Sequence, residues 1–561
     1  MYQRMGVGLV MALAVIGCKD KEEEAKVVVS PPKMVLLSPE QADWLEAGTV
    51  EAKGDVTDAS GVTVNGGAAV MKGGEFRADV QLLRGVSVVE AVATGKNGDI
   101  LFKRNGVIAG DYADPDEQVE SAMKLRVNQG GLDEVSALAA SYIDPELLNA
   151  AVLDLNPVYE DSYGIWGWDA VTIAADVTEI SFGPAEISIA PKGGQLELVA
   201  AIPDFWVDAR AYGDVIGYDF DVIVSMSASE ATISGMLSVG ANDGAIEVSL
   251  NSAAVELQDF SYDTDLLPGE IESYILVDTI RSTIETMLVD QILTMVPALL
   301  QDTLSGLAPT FSTELLGAEV ELAYAFDKVD VDDDGIALTL DMDVSIDGNG
   351  DKSYKGYLEA PKSDAEVDTH ADLAGAISDD FMNLAMFQAW RAGMLDLSMN
   401  TDDGSLDALI LLPFHATEGS LAVRADLPPV LVERDGALLA QVAELIVRVE
   451  TKDSDLGSYL EVAVAAEVPV EVGLEDSELA LAIGDPLIVL EVRDSDWGAS
   501  NEATTKLVEE TLPLEMLLGL LGNLSFELPS LLGLSFDEGE ASRDEGGFHT
   551  LVEVEMALSG D

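Results

Sequence analysis

The sequence predicts an α+β protein in which long runs of antiparallel strands combine with a few long apolar helices, behind a smaller all-β domain. Two observations lead to this fold class. Apolar and polar residues alternate through most of residues 171–258 and again through 405–496, as expected of strands with one buried face. Between these runs, the apolar residues of Asp278–Leu307 recur at steps of three and four, as expected of a helix with a buried stripe.

The composition limits the class of protein. The chain has 561 residues, enough for two to four domains, and its hydrophobic content of 48% is too high for a mainly disordered chain. It carries 103 Asp and Glu residues against 29 Lys and Arg, a formal net charge of −74. Such a surface repels phosphate backbones and anionic membranes, so nucleic acid is excluded as a partner. The simplest interpretation of the charge is a solvated surface suited to a salty medium.

The first residues have the pattern of an export signal. Arg4 supplies a positive charge, and Val7–Ile16 form an apolar segment too short to span a bilayer. The segment ends in VIGC, which resembles the lipobox of bacterial lipoproteins, and Cys18 is the only cysteine of the chain. We therefore expect residues 1–18 to be a lipoprotein signal peptide with its lipobox. The alternative is a signal peptide followed by a chance cysteine.

This N-terminus leads to an expected location. A lipidated Cys18 would anchor the mature protein to a membrane, with residues 19–39 as an acidic tether. The expected location is the exported bacterial cell envelope, on the periplasmic or surface face of the outer membrane rather than at the inner membrane. A lone cysteine cannot form an internal disulfide in an oxidising compartment.

Residues 40–110 are predicted to form the small all-β domain. Val62 and Val64 alternate into Asn65-Gly66, a hairpin signal, and Asn97-Gly98 marks a second turn. The pattern resembles small bacterial Ig-like domains, which usually serve as spacers. A sugar-binding or adhesive role is the alternative, because a fold alone does not give a function.

The order of elements after residue 119 repeats. A short extended piece leads into an amphipathic helix with Leu132, Val135 and Leu138 on its apolar face, followed by strands and a long helix over about 270–308 that Pro297 is expected to kink. A second helix, further strands and a second apolar helix follow in the same order, which indicates a duplication. The long helix is not expected to cross a membrane, because four charged residues interrupt it: Arg281, Glu285, Asp290 and Asp302.

Three segments together resemble the bactericidal/permeability-increasing protein (BPI) family, the two-domain members of the TULIP lipid-binding superfamily. They are LRVNQGGLDEVSALA from Leu125, the long helix IRSTIETMLVDQILTMVPALLQDTLSGL, and AISDDFMNLAMFQAWRAGMLDL. In the third segment the matching positions are Ser378, Asp379, Phe381, Asn383 and Gly393. The resemblance covers residues 119–558. It implies a boomerang of two TULIP barrels, each a curled antiparallel sheet round a long helix, joined by a central sheet. The implied domains are a first barrel over 119–318, a central sheet and connection over 319–365, and a second barrel over 366–558.

The resemblance also implies a function, which is lipid binding in apolar tunnels inside the barrels. Burial of acyl chains there would gain about 25 cal/mol for each Å² of apolar surface. The predicted helix stripe comprises Val277, Ile280, Ile284, Leu288, Ile292, Met295 and Leu299. The candidate lipid-binding residues are Ile284, Met287, Leu288, Ile292, Met295, Leu299, Phe381, Met382 and Met386. The methionines are favoured because flexible thioethers adapt to variable chains. The simpler alternative is that these residues are only core.

Two departures from the family narrow the expected ligand. Its antibacterial members are cationic and bind anionic lipopolysaccharide, whereas this chain is strongly acidic. The disulfide common in animal members cannot form from one cysteine. We therefore expect a membrane-anchored carrier of neutral or zwitterionic lipid. A structural or adhesive β-rich surface lipoprotein, with filled barrel interiors, is the alternative.

The sequence predicts neither an enzyme nor a cofactor. Its three histidines lie far apart, and no nucleophile-elbow, zinc-protease or P-loop pattern occurs. Asp330, Asp332 and Asp334 match the first half of a calcium-binding EF-hand loop, but the residues that follow alternate as a strand rather than starting a helix. We interpret this segment as an acidic hairpin turn, with a metal site as the less favoured alternative. Ser378, before two aspartates, is predicted to cap a helix.

Overall fold

The structure is a computed structural model that describes residues 30–558 with gaps in this range. The gaps are residues 144, 147–148, 150–152, 154–155, 166–167, 216–217, 265–272, 309–311, 316–317, 349–351, 368–369, 476–477, 498–525, 528–533 and 545. Cys18, the predicted signal peptide, most of the tether and the predicted helix near residues 502–523 lie outside the described residues. The chain divides into two compact units, of which the first comprises residues up to Pro39, Val50–Val80 and Val89–Arg104. The second comprises Glu40–Thr49, Gln81–Val88 and the chain from Asn105 onward.

The amino-terminal part of the chain consists of short strands. They are β1 (Lys33–Ser38), β2 (Asp43–Leu45), β3 (Gly48–Thr57), β4 (Ala59–Val64), β5 (Gly67–Ala68), β6 (Val70–Lys72), β7 (Glu75–Leu82), β8 (Gly85–Gly95), β9 (Ile100–Ala109) and β10 (Tyr112–Ala113).

The first unit is all-β within its described residues. One sheet has the order β1-β3-β7-β6, and β4 pairs with both β5 and β8. The hairpin predicted at Asn65-Gly66 is confirmed, because both residues have positive φ and Val64 lies opposite Gly67. The turn predicted at Asn97-Gly98 is also present, between β8 and β9. Its core includes the fully buried ring of Phe76. The Ig-like assignment and the spacer role stay predictions.

The second unit contains the described helices and the long strands. The helices are α1 (Gln129–Ser141), α2 (Ser273–Gly306) and α3 (Asp379–Arg391), with a 3-10 helix at Ala408–Phe414. The strands up to the start of α3 are β11 (Val119–Asn128), β12 (Tyr159–Ile165), β13 (Trp168–Ser181), β14 (Glu186–Lys192), β15 (Gln195–Val215), β16 (Tyr218–Asn242), β17 (Ala245–Gln258), β18 (Ser261–Thr264), β19 (Ser312–Leu315), β20 (Ala318–Val331), β21 (Gly335–Ile346), β22 (Tyr357–Leu358) and β23 (Leu373–Ser378). Those after α3 are β24 (Leu397–Asn400), β25 (Gly419–Ala425), β26 (Val430–Arg434), β27 (Ala437–Thr451), β28 (Tyr459–Glu475), β29 (Glu478–Ile483), β30 (Leu487–Ser495), β31 (Phe526–Glu527), β32 (Leu534–Arg543) and β33 (His549–Leu558).

These strands form two curled half-barrel sheets and a sheet that takes strands from both halves of the chain. The first half-barrel sheet has the order β12-β13-β15-β16-β17, with β14 and β18 paired to β15 and β16. The second has the order β24-β25-β27-β28-β29-β31, with β26 and β30 paired to β27 and β28. The shared sheet has the order β19-β20-β21-β11-β23-β33-β32. The protein is therefore mostly β, with few helices.

The shared sheet is nearly symmetric about its β11–β23 pair, with β19 as an extra strand on the β11 side. These two strands run antiparallel, and each leads directly into a 13-residue helix, α1 after Asn128 and α3 after Ser378. Outside β11 lie β21 and β20, and outside β23 lie β33 and β32. Each helix packs against the outer strand of the opposite half, α1 against β33 and α3 against β21. This arrangement agrees with the duplication expected from the repeated order of elements.

The predicted alternation in the first half-barrel sheet is confirmed. Ile180 and Ile189 are buried, whereas Glu179 and Ser188 are exposed. The predicted apolar face of α1 is also confirmed, since Leu132, Val135 and Leu138 are 0%, 2% and 7% exposed. The predicted helix over about 270–308 corresponds to α2, which runs unbroken through Pro297.

The start of α3 combines a predicted cap with a buried ion pair. The Ser378 hydroxyl accepts a hydrogen bond from the backbone N–H of Phe381, which confirms the predicted N-cap. The Asp379 side chain is fully buried and accepts two hydrogen bonds from the Arg543 guanidinium of β32, at 2.8 and 2.9 Å. Burial raises the pKa of Asp379, and the Arg543 charge opposes this shift. The ion pair therefore fastens α3 to the edge of the shared sheet.

Buried polar side chains fix the rest of α3. The Asn383 amide donates to the carbonyl oxygen of Leu431 in β26 and accepts from its N–H, at 3.1 and 2.7 Å. The Trp390 indole N–H donates to the carbonyl oxygen of Ala425 at 2.8 Å. Because each bond lies in a buried site, loss of either partner would leave a polar group unsatisfied. The helix is thus held in one position between the shared sheet and β26.

We predict that the Asp379–Arg543 pair is a major contributor to stability. Asp379→Asn leaves the Arg543 guanidinium buried without its anionic partner, so the free energy of unfolding should fall by about 3–5 kcal/mol. Asp116→Asn is the matched control, because Asp116 pairs with Arg391 at 2.8 Å but its side chain is 71% exposed. This control should cost less than about 1 kcal/mol. Urea unfolding of both variants tests the prediction, and equal losses would contradict it.

Candidate functional site

The face of α2 that packs on the first half-barrel sheet is a continuous apolar row. Its members are 0–3% exposed and lie four residues apart: Ile284, Leu288, Ile292, Val296, Leu300 and Leu304. An α-helix turns by about 100° per residue, so a step of four advances the row by about 40° around the axis. The row therefore winds around the helix, and the buried face changes along its length.

This winding separates the predicted stripe into two groups. Ile284, Leu288 and Ile292 lie in the buried row, whereas Met295 and Leu299 lie beside it and are only partly buried. The predicted stripe takes a step of three after Ile292, to Met295 and then Leu299, whereas the buried row keeps a step of four, to Val296 and Leu300. The side chains of Val277, Ile280 and Met287 lie outside the described residues.

The described large apolar side chains of α2 are buried or half-buried, whereas its exposed positions are small or polar and lie four residues apart, as at Thr286, Asp290 and Thr294. Within the described part of the chain, one helical segment, Arg281–Gly306, is long and apolar enough by length and composition to cross a membrane. Core helices of soluble proteins pass the same test, and here 40% of the apolar stretch is buried. Arg281 forms an ion pair with Glu285 at 2.7 Å, and its guanidinium lies 4.7 Å from the ring centre of Phe260. The helix is therefore attached along the sheet but leaves apolar side chains partly accessible.

The three candidates on α3 face two different sides. Met382 and Met386, one turn apart, pack against the second half-barrel sheet, where Leu431, Val442 and Val468 are among their buried neighbours. Phe381 instead packs in the core that includes the shared sheet. Adjacent helical residues point about 100° apart, which explains why Phe381 and Met382 separate. The two methionines thus belong to the interior of the second half barrel, and Phe381 does not.

The acidic segment at Asp330 is a hairpin turn between β20 and β21. Asp332 accepts two hydrogen bonds from the Arg126 guanidinium, both at 2.7 Å, and its Oδ1 also accepts the backbone N–H groups of Asp334 and Gly335. Asp330 forms an ion pair with Lys328. The described residues contain no group of three or more His, Cys, Asp or Glu side chains arranged to hold a metal. The aspartates of this turn therefore bind cationic side chains and backbone.

An acidic cleft of about 630 Å³ lies where β11 begins and α3 starts. Tyr357, Ser378 and His549 line it and are more than nine-tenths buried. It also contains six carboxylates: Asp114, Glu117, Glu120, Glu359, Asp364 and Asp380. No sequence pattern predicts this site, because 103 acidic residues are spread along the chain and these six come from separate segments.

The histidines lie in separate elements of the described structure. His415 follows the 3-10 helix and pairs with exposed Asp455 at 2.9 Å, and His549 begins β33. His549 is 6% exposed, and its Nδ1 lies 3.0 Å from Asp544 Oδ2. His370 lies before β23. The structure therefore does not bring the three histidines together.

The described fold defines the class as a mostly β protein with two curled half-barrel sheets. No protein-family model matches the chain, and no curated protein matches it. A crystal structure of lipopolysaccharide binding protein is 14% identical, with a TM-score of 0.41, and the match covers 78% of this chain and 100% of that one. The P47 protein of Clostridium botulinum E1 is 11% identical, with a TM-score of 0.26 and the same coverage. Similarity at this level assigns the chain to neither a family nor a ligand.

We predict that the Asp332–Arg126 pair stabilises the fold in a pH-dependent way. The Arg126 guanidinium lowers the pKa of Asp332 from 3.8 to about 2. A lowered pKa means that the ionised carboxylate stabilises the folded state above the ordinary Asp pKa, and that this stabilisation is lost as the pH falls through the lowered value. Asp332→Asn keeps the turn's acceptor oxygen but removes the charge. The difference in unfolding free energy between wild type and variant should therefore shrink between about pH 4 and pH 2.

A pH series of urea unfolding curves on both proteins measures this difference. A difference that stays constant over the series would show that the charge of Asp332 does not contribute.

Proposed function

We propose that this protein is a membrane-anchored lipid-binding protein that holds acyl chains of neutral or zwitterionic lipid in the apolar interiors of its two half barrels. The observation that carries the proposal is the half-buried apolar pair Met295 and Leu299 on α2, which keeps accessible surface beside a fully packed row. Water in contact with that surface is unfavourable, and an acyl chain that covers it would gain about 0.8 kcal/mol for each buried CH₂.

The partly buried row on α2 is the best candidate wall for such a chain. Met295 and Leu299 lie beside fully packed neighbours, so they contact the core on one side and have accessible surface on the other. In the second half barrel, Met382 and Met386 provide adaptable thioethers next to partly buried Ile483 and Ile488. The fully packed residues Ile284, Leu288 and Ile292 support the helix rather than touch the ligand.

The charge of the chain supports the choice of lipid. A formal net charge of −74 repels anionic headgroups, so the favoured ligands carry no net charge. Binding through apolar contact needs no catalytic group, and we propose no enzymatic activity and no cofactor. Attachment through Cys18 would keep the two half barrels near the membrane from which lipid is taken.

Lipid extraction tests the proposal directly. The soluble form that lacks residues 1–18 is purified without detergent and extracted with organic solvent, and the extract is analysed by mass spectrometry. We expect about one lipid for each half barrel. Protein that carries no lipid and takes up no fluorescent fatty-acyl probe would favour a structural or adhesive protein with filled interiors.

Two substitutions at neighbouring positions of α2 test where the bound acyl chain lies. Leu299→Asp places a carboxylate where the acyl chain would lie, so lipid occupancy should fall about tenfold or more. Ala298→Asp is the matched control, because Ala298 is the preceding residue of α2 and is exposed. Its lipid content should equal that of the wild type. Met295→Phe fills the same gap without charge and should shift the bound lipids to shorter chains. Lipid content unchanged in Leu299→Asp and Met295→Phe would exclude this row as the binding wall.

The proposed anchor has its own test. Cys18→Ser removes the thiol that would be acylated, so the protein should lose labelling by radioactive palmitate and move from the membrane to the soluble fraction. The wild-type chain, expressed and fractionated in parallel, is the control. A variant that stays with the membrane would show that the chain is held there by something other than Cys18.

A further inference from the structure

We propose that the acidic cleft binds a protonated primary amine. The inference goes beyond the proposed function, because the half-barrel interiors bind apolar chains and this cleft presents charge. The amine could be free in solution or carried on the headgroup of a lipid such as phosphatidylethanolamine, and the experiment below separates these sources.

The charge of the cleft is only partly offset by cations. Its lining contains six carboxylates and one lysine, Lys362, and the guanidinium of nearby Arg84 attracts Asp380 and Glu359. The fully buried Asp379, by comparison, has a cationic partner in direct contact, Arg543. None of the six cleft carboxylates forms an ion pair with any residue that the structure describes. A cation supplied from outside would offset this repulsion.

The inner wall provides buried acceptors. The Tyr357 side chain is 5% exposed, and its hydroxyl makes no hydrogen bond with a described residue. The negative charges of Asp380, Glu359 and Glu117 act on this hydroxyl. Its oxygen is not one of the fully buried side-chain atoms without a partner in the described residues, so it is open to the cleft rather than enclosed by protein. The Tyr357 hydroxyl can therefore bind a ligand in the cleft.

His549 adds a second polar group to the same wall, which is an acceptor at Nε2 when the ring is neutral. Its Nδ1 is held by Asp544, at 3.0 Å, and the carboxylate of Asp544 also accepts the backbone N–H groups of Phe548 and His549. When Nδ1 of the neutral ring donates to Asp544, Nε2 carries the lone pair and can accept. Nε2 makes no hydrogen bond within the described part of the chain, although the ring is 6% exposed.

These groups select a donor rather than an acceptor. Half-buried Asp380 and Glu359, with the Tyr357 oxygen and His549 Nε2, offer oxygen and nitrogen lone pairs but few N–H groups. A primary ammonium has three N–H donors and one positive charge, so it matches this set. An inorganic divalent ion matches less well, because the described residues contain no group of His, Cys, Asp or Glu side chains with metal-ligand geometry. The exposed rim carboxylates Asp114, Glu117 and Glu120 would attract the cation before it enters.

Calorimetric titration of the full chain in neutral detergent tests the proposal. The probes are ethanolamine and spermidine as free amines, and mixed micelles of the detergent with phosphatidylethanolamine compared with mixed micelles of the detergent with phosphatidylcholine. Saturable binding of the free amines supports a soluble ligand. Binding only to the phosphatidylethanolamine micelles supports an amine carried by a lipid. Absence of both, or equal displacement of spermidine by Mg²⁺, would overturn the proposal.

Three variants locate the amine. Tyr357→Phe removes one hydroxyl and should weaken binding about three- to tenfold. Asp380→Asn and Glu359→Gln each remove one charge and keep a similar shape, so each should weaken binding about ten- to a hundredfold. Glu256→Gln, at an exposed position on β17, is the charge-matched control and should bind as the wild type does. Equal weakening in the control would reveal diffuse counterion binding and would overturn the site.

The same samples separate this inference from the proposed function. Lipid extracted from Tyr357→Phe protein should match the wild type in amount, because the variant does not alter the half-barrel interiors. Thermal unfolding of each variant confirms that it folds. Amine binding without co-purified lipid would support the cleft alone, and lipid without amine binding would support only the half barrels.

Discussion

The antiparallel pairing of β11 with β23 is the constraint on which the second unit depends. Met123 lies opposite Ile377 and Val127 opposite Leu373, and because the strands are antiparallel, α1 and α3 leave the pair at opposite ends. Each helix then covers the outer strand of the other half, and the half-barrel sheets also contact the shared sheet directly, β16 against β20 and β28 against β32. The acidic cleft also lies here, because β11, β33 and the start of α3 supply its walls.

The few cations of this chain are used where elements join. Arg126 joins β11 to the turn before β21, Arg543 joins β32 to α3, and Arg493 on β30 contacts buried Glu444 on β27 at 2.7 Å. With 29 basic residues against 103 acidic ones, most carboxylates have no such partner and stay in water, where their repulsion is screened. This distribution explains how a chain with so large a net charge keeps a packed interior. It also makes an unpaired acidic cleft stand out.

The sequence predicted what depends on local patterns and missed what depends on distant partners. Alternation identified the buried side of Ile180 and Ile189, and three spaced apolar residues identified the face of α1, because strand and helix periods are properties of neighbours in sequence. The role of Ser378 followed from the aspartates after it. The buried partner of Asp379 did not, because Arg543 lies 164 residues away. On α2, the spacing did not distinguish Met295 and Leu299 from the buried Val296 and Leu300, because the two pairs are apolar neighbours in the same turns. The acidic cleft could not be predicted for a third reason. In the sequence, its carboxylates cannot be distinguished from those of the solvated surface.

The long sequence separation across the shared sheet sets the order in which the chain can fold. The Asn128 side chain donates to the carbonyl oxygen of Ala371, 243 residues later, and β11 gains its β23 neighbour only when that segment is available. During synthesis, a half-made chain would therefore expose the edge of β11, with its unpaired N–H and C=O groups. Such an edge is a template for pairing with another chain. The dense negative charge of the surrounding segments would keep two such intermediates apart, so acidity here protects the nascent protein as well as the finished one.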